Sequence, residues 1–158
     1  MIRIQVPATS ANLGSGFAAL GVALTLYNQV WMAESDTLTI TSKDAVEIPT
    51  DETNLIFWAA RRLYELCGHK LPGMKIVQLN NIPMARGLGS SSACIVAGIL
   101  GANRMLGSPL GRQDIINLAA EIEGHPDNTP PAIEGGLAAS AIEAGKGSLS
   151  HTLYKKVL

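Results

Sequence analysis

The residues best suited to chemistry lie in one run, Pro83-Met84-Ala85-Arg86-Gly87-Leu88-Gly89-Ser90-Ser91-Ser92-Ala93. Its glycines would weaken a helix interior, each by ~1 kcal/mol relative to alanine. The run therefore reads as a loop that opens a helix. Glycine admits positive φ and lets main-chain amides approach a ligand closely. A helix start adds unpaired N–H donors and the positive end of the macrodipole. Together these form an anion cradle suited to phosphate, and the serine hydroxyls add ligands for phosphate oxygens or a magnesium ion. The competing reading is a serine-capped turn with no ligand. The strand before the run and the small-residue helix after it favour phosphate. No lysine follows the second glycine, so this is not a Walker loop.

Two further segments carry polar groups at telling places. Gly124-His125-Pro126-Asp127-Asn128 forms a polar loop just after a helix. A lone histidine is more often a structural hydrogen-bonder, but the company of His125 favours a site. His69 and His151 lack such company and read as surface residues. Gly14-Ser15-Gly16-Phe17-Ala18-Ala19 fits G-x-G-x-x-A, with Glu34 at a plausible distance for a ribose. The residues that follow, Val22, Leu24, Thr25, Leu26 and Tyr27, favour strand, whereas a dinucleotide fingerprint must open a helix. That reading is set aside.

The phosphate run resembles the motif P-x-x-x-G-L-G-S-S-x-A of the GHMP small-molecule kinases. Val6–Phe17 and Glu121–Asn128 resemble motifs of the homoserine kinase branch, and Asp51–Leu55 more weakly resembles a stretch near the adenine pocket. The resemblance implies an ATP:alcohol phosphotransferase using ATP and Mg2+, with homoserine as acceptor and threonine synthesis as pathway. It places Pro83, Met84, Ala85, Arg86, Gly87, Leu88, Gly89, Ser90, Ser91, Ser92 and Ala93 around the triphosphate and Asn54 near the adenine. Ser91 and Glu121 become the expected catalytic pair and magnesium ligands. Glu123 is the alternative to Glu121, and a solvated helix face is the plain reading of Glu121. Asn12, His125, Asp127 and Asn128 fall on the acceptor side.

Three departures from the family pattern stand out. Relatives usually carry Asp where this chain has Ala18, and losing a charge-assisted hydrogen bond costs ~1.5–3 kcal/mol. Relatives commonly have Ala at Pro130, and the pattern gives no reason for a Pro-Pro pair there. The family has a second, C-terminal domain, so the expectation is one ATP-binding N-terminal domain over residues 1–158 with little activity alone. Two other readings remain: a GHMP kinase with a different acceptor, such as a mevalonate-type alcohol, and a non-catalytic nucleotide-binding module.

Positioning these groups falls to elements legible from periodicity. Residues 3–6, 22–27, 38–41 and 74–79 read as strands. Leu55, Ala59, Leu63 and Leu66 mark an amphipathic helix with Asp51 or Thr53 as N-cap and Gly68 as its stop. Two helices follow the glycine loop, roughly Ser91–Leu106 and Gln113–Glu123. Gly124 to Pro131 reads as loop, and Leu137–Ile142 and Leu149–Leu158 as strands. Strands first, then mixed elements, predict an α+β fold with a mostly antiparallel sheet and helices packed on one face.

Composition narrows the classes. The chain has 158 residues, of which 47% are hydrophobic and 16% charged, enough for one domain with a packed core. A net charge of -1 argues against a dedicated nucleic-acid binder, and 4% aromatics against base-stacking platforms. Cys67 and Cys94 form no C-x-x-C pair, which makes a zinc site improbable and fits a reduced, cytoplasmic setting. The longest apolar run, Ala93–Ala102, is about half a ~20-residue membrane span, so no membrane partner is expected. A homodimer is left open.

Overall fold

The structure, a computed structural model, describes residues 1–143 and 151–158. Apolar alternation builds its first two strands, and pairing carries them well past the segments that alternate. β1 (Ile2–Leu13) and β2 (Gly16–Glu34) form one long antiparallel hairpin. Ile4, Val6 and Ala8 turn inward with Val30 and Met32, while Arg3 and Gln5 face solvent. Register slips between Pro7 and Thr9, where proline has no amide to donate to the ladder, and again between Ala11 and Leu13.

β3 (Thr39–Ser42) and β4 (Met74–Leu79) extend one end of the sheet; β5 (Leu137–Glu143) and β6 (His151–Lys156) extend the other. The order is β3-β4-β2-β5-β6, with β1 beside β2. β3 pairs parallel to β4, and every other pairing among the described residues is antiparallel. The expected α+β architecture is what forms. Of the last expected strand, residues 149 and 150 lie outside the described residues.

Four helices pack on the inner face: α1 (Leu55–Leu66), α2 (Ser90–Met105), α3 (Arg112–Glu123) and α4 (Thr129–Glu134). α1 buries Ile56, Phe57, Ala60, Leu63 and Tyr64 at helical spacing. Each large side chain so buried contributes ~1.5–3 kcal/mol. Its N-cap is Asn54, not Asp51 or Thr53: Asn54 Oδ1 accepts the Ile56 amide at 3.0 Å. Asp51 is used one step earlier, closing a turn by accepting the Thr53 amide at 2.9 Å.

α2 runs through the middle of the core, with Ile95, Val96, Ile99 and Ala102 buried. Two glycines let it in. Gly101 lies against Met32 and Ile4 of the sheet, and Gly98 lies against the Ile56 carbonyl and Ala59 of α1. A Cβ at either position would clash.

The segment expected as loop through Pro131 turns helical at Thr129, which explains the proline pair. Pro130 and Pro131 sit in the first turn of α4. Amides there have no intrahelical partner, and the fixed φ of proline suits helix entry.

Candidate active site

The glycine loop enters α2 with alternating hand. Ala85 (φ 55°), Gly87 (φ 70°) and Gly89 (φ 66°) are left-handed, separated by residues that are not. Such alternation curls successive main-chain amides toward one point, the concavity that binds anions. Gly89 is the N-cap of α2 and supplies no side-chain cap. The first intrahelical bond runs from the Ala93 amide to the Gly89 carbonyl at 2.9 Å. The amides of Ser90, Ser91 and Ser92 therefore have no intrahelical acceptor. A cavity of about 410 Å³ opens over them, lined by Ala85–Ser92 with Asn12 and Asn128.

Ser91 Oγ donates to Glu123 Oε1 at 3.0 Å. The Glu123 side chain is 8% exposed, and its Oε2 is buried without a partner. Glu121 stands elsewhere: its carboxylate is 3.7 Å from Arg62 of α1. Two residues apart on a helix is about 200° of rotation, so both glutamates cannot face α2. Among the described residues, no three His, Cys, Asp or Glu side chains converge on a common point. A magnesium ion, though, keeps waters and phosphate oxygens and takes one or two protein oxygens. A serine hydroxyl beside an unsatisfied carboxylate fits that demand.

In the loop after α3, His125 Nδ1 lies 2.6 Å from Asp127 Oδ1, and Asp127 is 3% exposed. The contact fits an imidazole N–H donated to a carboxylate. The far nitrogen, Nε2, is 4.0 Å from Glu123 Oε1. Asn12 is left-handed (φ 57°), and its Oδ1 accepts the amide of Ala18, itself at φ 55°, at 2.8 Å. Asn12 and Asn128 border the larger cavity, and His125 and Asp127 do not line it.

A second cavity of about 230 Å³ adjoins the first and is mostly apolar. Ile48, Pro49, Leu55 and Met84 line it, and Ala85, Ser90 and Ser91 are common to both. Asn54 lines this cleft too, but its amide is committed to the protein: Nδ2 donates to the Pro49 carbonyl at 2.9 Å. Pro83 and Ala93 border neither cavity, and Ser92, at the edge of the larger one, is fully buried.

Sequence reasoning overlooked Ile48 and Pro49, which carry no periodic signal, and Cys94. Cys94 lies three residues after Ser91, a spacing that shares a helix face, so it could have been found. Burial, and then the neighbouring Glu123 carboxylate, push the Cys94 thiol up to about 11. It is a poor nucleophile at neutral pH.

The family profile described as GHMP kinases N terminal domain matches residues 54–136, just over half of the chain. The chain belongs to the GHMP kinases. That match takes in the glycine loop, the His125 loop and the part of the apolar cleft from Asn54 onward. Within the family the chain is similar to the homoserine kinase of Desulfitobacterium hafniense, at 44% identity over 99% of this chain and 53% of the relative. It is 46% identical to that of Petrotoga mobilis, over 90% of this chain and 47% of the relative. The crystal structure of homoserine kinase from Cytophaga hutchinsonii superposes with a TM-score of 0.80 at 30% identity, covering 98% of this chain and 51% of that one. Mevalonate kinase from Methanococcus jannaschii, at 16% identity, shares the fold with a TM-score of 0.74 over 99% of this chain and 56% of that one. The chain spans about half the length of the curated relatives it matches.

Proposed function

We propose that this chain is the ATP-binding N-terminal domain of a homoserine kinase, which transfers the γ-phosphoryl group of ATP to the hydroxyl of L-homoserine. The observation that carries the proposal is the open start of α2, three amides without intrahelical acceptors under a cradle of alternating hand, with the Ser91–Glu123 pair at its side. The apolar cleft between Ile48, Leu55 and Met84 suits the adenine, and its shared wall leads directly to the cradle. The relatives named homoserine kinase, 44–46% identical, support the acceptor. The product is O-phospho-L-homoserine, a step toward threonine. The two free cysteines fit a reducing cytoplasm, and among the described residues no helix is long and apolar enough to cross a membrane.

Most of the catalysis is positioning and fixed charge. The amides at Ser90–Ser92 hold the β- and γ-phosphates, and the α2 dipole favours their negative charge. Ser91 Oγ and the Glu123 carboxylate would hold a magnesium ion. Magnesium, when bound, neutralises charge on the phosphate oxygens. Asn12 and Asn128 orient the acceptor at the cavity rim. The acceptor oxygen bonds to the γ-phosphorus as the bond to the β–γ bridging oxygen breaks, and the hydroxyl proton passes to a γ-phosphate oxygen. Calorimetric titration of this chain with Mg-ATP tests the binding half. A hybrid joined to the C-terminal half of the Desulfitobacterium relative tests turnover. Absence of nucleotide binding to the folded chain would remove the assignment.

One observation favours a different acceptor. Ala18 presents a methyl group, its amide is taken by Asn12, and no carboxylate lies between Ala11 and Leu20 to meet an ammonium. A panel of homoserine and mevalonate-type alcohols offered to the hybrid separates the two readings.

A further inference from the structure

The structure assigns Thr9 as a positioning residue that fixes the phosphate cradle and the acceptor loop to each other; this rests on the phosphate reading above. Thr9 is fully buried on β1, just after the first register slip. Three contacts meet at it. Its amide donates to the Leu88 carbonyl at 3.1 Å, so β1 holds the glycine loop as it would a partner strand. Its hydroxyl abuts Gly89, where any Cβ would collide with Thr9 Oγ1. The same hydroxyl donates to Asn128 Oδ1 at 2.8 Å, although the two residues are 119 apart in sequence.

The last contact has a chemical consequence. A carboxamide has one acceptor oxygen and one donor nitrogen. With its oxygen engaged by Thr9, Asn128 turns its NH2 group away from the strand, and its side chain caps no α4 amide. Asn128 borders the phosphate cavity, so the group it offers there is a donor. A donor suits a phosphate oxygen or the oxygen of an alcohol. The flipped amide would present an acceptor to an anion. Thr9 thus sets the separation of cradle and acceptor loop, and while its hydroxyl donates it keeps the Asn128 oxygen on the strand side. Serine at position 9 keeps the hydroxyl; valine keeps the shape and loses it.

The test compares the 15N-labelled chain with Thr9→Ser and Thr9→Val, using Mg-AMPPNP as probe. In the parent chain and Thr9→Ser, nucleotide shifts the amides of Gly87–Ser92 together with the side-chain NH2 resonances of Asn128. In Thr9→Val, the loop amides still respond, at roughly tenfold weaker affinity, and the Asn128 response is lost. An Asn128 response in Thr9→Val equal to that of the parent overturns the inference. If nucleotide moves no loop amide even in the parent, the phosphate reading fails instead. The ligand-free comparison then decides the positioning role. Hydrogen exchange at Gly87–Ser92 several-fold faster in Thr9→Val, and restored by Thr9→Ser, supports it; equal rates in all three overturn it.

Discussion

The two ends of α2 are built to opposite rules. At its C-terminus the carbonyls of Ala102, Asn103 and Arg104 each accept a main-chain amide. The Leu106 amide bonds the Ala102 carbonyl at 3.0 Å and the Ser108 amide bonds the Asn103 carbonyl at 2.7 Å. Asn103, buried, exchanges two hydrogen bonds with the Leu110 main chain, and Arg104 adds a cation where the dipole favours one. At the N-terminus Gly89 contributes no cap, three amides lack an intrahelical acceptor, and a buried carboxylate oxygen stands unpaired nearby. Buried polar groups are normally satisfied. That contrast between a tied-down end and an open one is what the proposed phosphate site rests on.

The contrast can be broken at either end. The largest effect is expected from Glu123→Ala combined with Ser91→Ala in the hybrid protein, where removing both oxygen donors should lower turnover by at least 100-fold. Glu121→Ala, measured in the same assay, should stay within about threefold; equal losses at both glutamates would contradict the placement of Glu123. Next comes Gly89→Ala. A left-handed alanine costs roughly 1–2 kcal/mol, and the added Cβ meets the Thr9 hydroxyl. Calorimetry should report Mg-ATP binding weakened on the order of 10- to 100-fold.

The closed end should answer differently. Asn103→Ala leaves the Leu110 groups without their partner and should cost about 2–3 kcal/mol by urea unfolding, with nucleotide affinity unchanged within about twofold. The smallest effect concerns Cys94. With its thiol raised to about 11, alkylation at pH 7 should be more than about tenfold slower than for an ordinary thiol of pKa ~8.5, because thiolate is far scarcer and its greater nucleophilicity offsets only part of that, and should rise steadily as pH climbs toward 11. Mg-ATP should slow it further, because Cys94 lines the apolar cleft; mass spectrometry after timed labelling reads both.

The sequence made the open end legible because glycine and serine at a helix start have few other uses. It also gave α1, α2 and α3 to within a residue or so of their bounds, since periodicity is local information. Asn54 escaped as a cap because Asp51 and Thr53 offer equally good local chemistry, and tertiary packing decided where the helix begins. The choice between Glu121 and Glu123 was hidden for a related reason. Helical geometry says that they face apart, but which one meets Ser91 depends on how α3 lies on α2. The hairpin outran its alternating segments because β4 and β5 flank β2 over different stretches. The proline pair was opaque until the helix it opens was seen.

Gly98 has one more consequence. It seats α2 directly on the Ile56 carbonyl of α1, and these two helices begin at Ser90 and Leu55, opposite jaws of the apolar cleft. The gap between the jaws is thus gauged by main chain, like a calliper locked at its pivot. Surface side chains can vary without resetting it, whereas a single methyl at position 98 would act as a shim and spread the jaws.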